Sequence, residues 1–136
     1  DLVRTAEVLD DDGWYRTGDA GSLDDEGFLY IRDRYKDMII SGGENVYPAE
    51  VESALLELAG VVEAAVIGVP EKETGEELPK AFVVRAPGSE LSEQAVMDYM
   101  AEKVAPHKKI RLVEFIETVP KSAAGKILRK DLKARL

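Results

Sequence analysis

Asp33-Arg34-Tyr35-Lys36-Asp37-Met38-Ile39-Ile40-Ser41-Gly42-Gly43-Glu44-Asn45-Val46-Tyr47-Pro48-Ala49-Glu50-Val51-Glu52 changes character several times in a short span. Arg32 to Asp37 holds five charges in six positions around Tyr35, a composition that belongs in solvent. Met38-Ile39-Ile40 is a short apolar run suited to a strand. Ser41-Gly42-Gly43 follows, and paired glycines reach φ > 0 at no steric cost and permit a tight reversal. Val46-Tyr47 reads as the return strand. Pro48 suits the first position of a helix, where its missing N–H costs nothing. In order these are a charged joint, a glycine-tipped hairpin and a helix.

Downstream of the hairpin the pattern is mixed. Pro48 to Ala59 is predicted helical, with Val51, Leu55 and Leu58 on one face and Gly60 as the stop. Val61 to Val69 is rich in β-branched residues and predicts a strand. Pro70 to Pro79 is a charged loop, and Lys80 to Arg85 a buried strand. Ser92 is placed to cap a helix running through Val104, in which Val96, Met100 and Val104 share a face. Leu112 to Ile116 predicts a further strand. Lys126 to Leu136 is expected to be a basic amphipathic helix. Upstream, residues 1–33 read as short strands and turns, punctuated by Asp10-Asp11-Asp12-Gly13 and Asp24-Asp25-Glu26-Gly27. The fold class expected is α+β, a short sheet flanked by helices and preceded by a β-hairpin segment.

Composition narrows the functions. Length allows one ordinary domain, or a small domain with an appended piece. There are no cysteines and one histidine, His107, which excludes disulfides and thiolate metal sites. No apolar run approaches a membrane span. The net charge of −9 conceals an asymmetry: residues 1–102 carry 8 Lys+Arg against 24 Asp+Glu, and residues 103–136 carry 10 against 3, so the two parts stand at −16 and +7. The basic part reads either as a solvated face or as a surface turned toward a small polyanion. A nucleic-acid partner is disfavoured by the low aromatic content and the acidic remainder.

Three stretches together, Thr17-Gly18-Asp19, the joint and hairpin above, and Pro120-Lys121-Ser122-Ala123-Ala124-Gly125-Lys126, resemble in order and spacing the signatures of the adenylate-forming superfamily. This superfamily includes acyl-CoA synthetases, 4-coumarate–CoA ligases, luciferases and adenylation domains. The resemblance covers the C-terminal part of such an enzyme, and the chain, which begins at Asp1 without Met, is expected to be a piece of a protein several times longer. It implies that residues 1–33 end the large AMP-binding domain, 34–36 form a hinge and 37–136 form the C-terminal lid.

The same resemblance suggests roles for single residues. Asp19 matches the aspartate that grips the ATP ribose, and Arg34 an arginine beside it. An Asp that bonds its own turn is the plainer reading of the first. Lys36 matches the position at which the lid swings. Gly42 and Gly43 match a hairpin lining the tunnel for the thiol arm, although a tight turn alone explains both glycines. Lys126 matches the lysine that bridges the substrate carboxylate and the α-phosphate. A Walker-type phosphate loop needs glycine at 120 and Ser or Thr at 127, and Pro120 and Ile127 exclude it. Lys108, Lys109 and Arg111 are candidate contacts for the phosphates of coenzyme A, in a segment where Ile110 replaces the proline common in the family.

The implied activity is a cytoplasmic acid–thiol ligase. It joins a carboxylic acid to coenzyme A through an acyl-adenylate, using ATP and Mg2+, with its own N-terminal domain as partner and no metal ligand in this chain. A carrier-loading or luciferase-like enzyme, and a non-catalytic binding module, are the alternatives.

Overall fold

In the structure, a computed structural model describing residues 1–136, the chain divides into Asp1–Lys36 and Asp37–Leu136. The first unit is built on one turn used twice. Asp10 Oδ1 accepts the N–H groups of Asp12 (3.1 Å) and Trp14 (2.9 Å), and Asp24 Oδ1 accepts those of Glu26 (3.0 Å) and Phe28 (2.9 Å). Aspartate thereby supplies the hydrogen bonds that a reversing backbone lacks. The Phe28 N–H, with the Tyr30 hydroxyl on Oδ2 assisting, holds the Asp24 carboxyl below its ordinary range. The second turn joins β1 (Asp19–Leu23) to β2 (Leu29–Arg34), antiparallel, with an irregularity between Ala20 and Gly21.

One expectation fails in this unit: residues 1–33 are not all strands and turns. Leu2–Val8 is a helix, α1. Asp1 caps it, its Oδ1 accepting the Val3 N–H at 3.0 Å, and local capping decides the conformation because no residue of α1 is buried. No residue of the whole unit is buried, and Trp14 (75%) and Phe28 (62%) stand in the open.

The second unit has a core of its own. β3 (Ile39–Ser41) and β4 (Glu44–Val46) form the glycine hairpin. α2 (Pro48–Leu56) starts with Pro48 in its first turn. β5 (Val61–Pro70), β6 (Glu77–Arg85) and β7 (Leu112–Phe115) form one sheet in that order. The β5–β6 pair is antiparallel and the β6–β7 pair parallel, so α3 (Glu93–Lys103) is the crossover between the last two. Ser92 caps α3, its hydroxyl accepting the Ala95 N–H at 3.1 Å, a bond worth about 1 kcal/mol.

Alternation along the strands sends side chains to both faces of the sheet. Ala64, Val66, Ala81, Val83 and Val113 meet Val51 and Leu55 of α2, Val96 and Met100 of α3, and Ile39 and Val46 of the hairpin. Ala65, Ile67 and Phe82 meet Val119 and Leu132 on the other face. Elements lie on both sides of a short sheet, and the fold is α+β.

Three elements differ from the sequence expectation by three residues at a boundary. α2 ends at Leu56 rather than Ala59, because tighter turns take over, with Leu58 N–H on the Leu55 carbonyl and Val61 N–H on that of Leu58. β6 begins at Glu77, so Pro79 lies inside a strand expected to start at Lys80. The C-terminal helix, α4, is only Arg129–Lys133. Lys126 is therefore not at a helix start: Lys121 and Ile127 form an antiparallel bridge, and residues 122–126 are the loop it closes.

Candidate active-site loops

Asp19 and Arg34 are cross-strand partners at the open end of the β1–β2 hairpin. Arg34 Nη1 lies 3.2 Å from Asp19 Oδ1, an exposed pair. Asp19 N–H donates to Thr17 Oγ1 at 3.1 Å, which fixes the residue in its turn. One carboxylate oxygen is engaged and the other faces no protein donor, so the group can still accept a hydrogen bond from a hydroxyl. Lys36 lies in a single 3-10 turn, Tyr35–Asp37, with its side chain exposed.

The glycine hairpin is set by its register. Ile39 pairs with Val46, and both are buried (1% and 0%), so the base of the hairpin belongs to the core. The tip needs φ of 60° at Gly42 and 76° at Gly43, which side-chain-bearing residues rarely adopt. A Cβ on either glycine would meet nothing within 4 Å, so the requirement is conformational and not steric. The free edge of β3 is held by carboxylates: Ile40 N–H donates to Glu77 Oε2 at 3.3 Å and Gly42 N–H to Glu76 Oε2 at 3.1 Å. Beside this tip is a cleft of about 500 Å3, open to Gly42, Glu71, Glu76, His107 and Arg111.

The basic cluster is not one patch. Lys108 Nζ lies 2.6 Å from Glu50 Oε1 at the start of α2, so its charge is already paired. Ile110 is buried in the main core, and this apolar anchor sets the local path where the family often has proline. Arg111 faces the glycine cleft, and Lys108 and Lys109 are not among the groups lining it.

Lys126 is exposed and its ammonium has no partner in the protein. Its main chain is fixed twice by Ser122: the Lys126 N–H donates to Ser122 Oγ at 3.2 Å and the Ser122 N–H to the Lys126 carbonyl at 2.8 Å. Upstream, Lys121 Nζ lies 2.7 Å from Glu63 Oε1, and the Val119 N–H donates to Glu63 Oε2 at 3.3 Å. The Lys121 ammonium, with the Val119 amide second, holds the Glu63 carboxyl below its usual range. Downstream, Arg129 Nη2 reaches both Glu52 oxygens, at 2.6 and 2.8 Å, and Nε donates to the Val66 carbonyl at 3.3 Å.

Sequence reasoning passed over Glu52, Glu63 and Arg129. A signal existed for Glu52. Pro48, Val51, Glu52 and Leu55 follow i, i+3, i+4, i+7 spacing, and all are buried, so one slot of an apolar stripe holds a charge. Such a charge needs a partner. That the partner is Arg129, 77 positions away, no local pattern discloses. No group of three His, Asp, Glu or Cys side chains is placed to hold a metal ion. No helix is long and apolar enough to cross a membrane.

The described candidates are thus an unpaired ammonium on an anchored loop, a side-chain-free hairpin tip and a carboxylate–guanidinium pair at a turn. The chain belongs to the AMP-binding enzyme C-terminal domain family, which matches residues 50–126. It is 51% identical over 128 residues to 4-coumarate–CoA ligase-like 5 of Oryza sativa subsp. japonica, covering 94% of this chain and 23% of that protein. It is 51% identical over 123 residues to long-chain-fatty-acid–CoA ligase FadD13 of Mycobacterium tuberculosis, covering 90% of this chain and 24% of that protein. The crystal structure of ATP-bound MatB from Rhodopseudomonas palustris superposes with a TM-score of 0.88 at 38% identity, over 97% of this chain and 26% of that one. The chain thus spans about a quarter of the length of the relatives it matches.

Proposed function

We propose that this chain is the C-terminal part of an AMP-forming acyl-CoA ligase. In this reading residues 1–33 complete the large AMP-binding domain, 34–36 are the hinge and 37–136 are the lid. The absence of any buried residue before Lys36 supports it, since a segment that hides none of its aromatic side chains by itself fits a larger body.

The reaction has two halves. A carboxylate oxygen of the acid attacks the α-phosphorus of ATP, the bond to the β-phosphate oxygen breaks, and pyrophosphate leaves. The thiolate of coenzyme A then attacks the acyl carbonyl carbon, and AMP leaves. Two anionic partners must approach in the first half, and Lys126 supplies the point cation between them. A preorganised donor of that kind contributes about 10²–10³ in rate. Asp19 accepts hydrogen bonds from the ribose hydroxyls, with Arg34 holding it in place. Gly42 and Gly43 let the thiol arm pass beside bare backbone, and Arg111 in the adjacent cleft offers a cation to its phosphates. Lys36 is the pivot between halves. Magnesium carried on the nucleotide would supply charge neutralisation at the phosphates; no group of three His, Cys, Asp or Glu side chains of this chain is placed to hold a metal ion.

The observation that carries the reading is Lys126, unpaired and held on a fixed loop at the end of the matched segment. The deciding experiment separates the half-reactions of the intact enzyme, pyrophosphate release against transfer of a supplied acyl-adenylate to free coenzyme A. Thioester formation with free coenzyme A is expected, and transfer only to a carrier protein overturns the ligase reading. The isolated chain should release no pyrophosphate.

A further inference from the structure

The loop bearing Lys126 is short, exposed at its tip and followed by a helix of only five residues, so neither the loop nor α4 can hold it by itself. It is instead tied on both flanks by charge. Lys121 opens the loop and pairs with Glu63, which also takes the Val119 N–H. Arg129 follows the loop and pairs with Glu52 and the Val66 carbonyl, while Glu52 Oε2 accepts the Val66 N–H at 3.0 Å. Both ties therefore reach β5, at Glu63 and at Val66; the second also ends on α2 at Glu52, and Arg129 Nη1 lies 4.0 Å from Asp37 Oδ2. Between them the Lys121–Ile127 bridge and the two Ser122 bonds fix the Lys126 backbone. A nearly buried guanidinium–carboxylate pair is costly to desolvate and adds less to stability than an apolar pair of the same shape. Its location next to Lys126 gives it a use.

We propose that the Lys121–Glu63 and Arg129–Glu52 pairs form a clamp that presents the Lys126 ammonium at a fixed place during adenylation, which makes Glu63 and Arg129 positioning residues. The inference rests on the reading of Lys126 given above. A lysine stem is flexible, and a displacement of about 1 Å in a positioned group can cost up to about a hundredfold in rate. Neither Glu63 nor Arg129 needs to touch substrate for this.

The test uses the intact enzyme, with Lys126→Ala as reference. Glu63→Gln keeps an acceptor for Val119 and removes the charge; Arg129→Lys keeps the charge and removes the fork. Each is expected to lower kcat for adenylate formation by about tenfold or more. KM for ATP and acid should stay near parental, and transfer of a supplied acyl-adenylate to coenzyme A should be unchanged per folded molecule. Glu63→Lys should be worse than Glu63→Gln, and adding Lys121→Glu to it should recover part of the loss. Parental adenylation in both Glu63→Gln and Arg129→Lys, while Lys126→Ala fails, overturns the clamp. Equal losses in both half-reactions overturn it too, since they report only a weaker lid. Normal adenylation by Lys126→Ala instead removes the reading beneath it, a result distinguishable from the other two.

Discussion

The glycine hairpin and the lysine loop are both short reversals closed by an antiparallel pair, and they are stabilised in opposite ways. The hairpin has its base in the core, through Ile39 and Val46, and an outer edge held by Glu76 and Glu77 on main-chain N–H groups. The lysine loop is held by carboxylates that take cations, Glu63 on Lys121 and Glu52 on Arg129. The first loop presents backbone and the second presents charge. A loop that offers backbone needs conformational permission, which glycine gives. A loop that offers a flexible cation needs rigid flanks, which ion pairs and a backbone bridge give. If that contrast is functional, damage to each loop should fall on a different half-reaction.

The largest effect expected is from Lys126→Ala in the intact enzyme. Adenylate formation should fall by about 10²–10³, the scale for one preorganised donor. Transfer from a supplied acyl-adenylate should be spared. Stopped-flow measurement of each half decides this, and an equal fall in both, in folded protein, breaks the contrast between the loops.

Next comes Gly43. At φ 76° a leucine stores strain of about 1–3 kcal/mol, although the space around the Cβ position is open. Asparagine tolerates the left-handed region better, so Gly43→Asn separates strain from obstruction. Gly43→Leu should slow thioester formation by about tenfold with adenylation within about twofold per folded molecule, and bound acyl-adenylate should accumulate. Gly43→Asn should fall between Gly43→Leu and parent in thioester rate and lie near parent in stability. If each variant loses both halves only in proportion to its unfolded fraction, Gly43 is a turn residue and nothing more.

How far these loops could be read in advance differs for physical reasons. The glycine hairpin was legible because its determinants are local: an apolar run, two glycines, then Pro48. The Pro48 helix α2, the Ser92-capped helix α3 and the β-branched strand β5 were legible for the same reason. The lysine loop carries the pattern of a helix start, since Ile127, Leu128, Leu132 and Leu136 keep helical spacing. Ile127 is used instead in the bridge to Lys121, Leu132 alone is fully buried, and Leu136 is 56% exposed. Pairing across the loop overrode periodicity there. The clamp residues lie 58 and 77 positions from their partners, beyond any local pattern. The helix α1 escaped notice because a cap and no buried face support it.

A smaller effect is expected at the carboxylates that hold the hairpin. Glu76→Ala removes one exposed hydrogen bond to Gly42 N–H and should cost about 0.5–1 kcal/mol or less. Its signature is local: faster amide hydrogen exchange at Gly42, with Val119, just upstream of the lysine loop, unaffected. Exchange that quickens equally at both sites would mean that the two loops are stabilised as one unit and the contrast is wrong.

The smallest effect sharpens the other side. Glu63 is held below its ordinary value of 4.5 by the Lys121 ammonium and then the Val119 N–H. A depressed folded-state pKa means that the anchor's contribution is fully present above the unfolded value and is lost as pH falls through the folded one. The pair is part-exposed, so the contribution is small, about 0.2–1 kcal/mol, and global unfolding will not resolve it. The Val119 amide resonance will. In the 15.0 kDa chain it should titrate with a midpoint below the ordinary carboxylate value of 4.5. Glu63→Gln should abolish that titration and leave the Gly42 resonance unmoved. A Val119 midpoint at or above 4.5 would mean that the Lys121 ammonium does not stabilise the Glu63 carboxylate in solution. The upstream half of the clamp would then be absent, and Lys126 would rest on Ser122 and Arg129 alone.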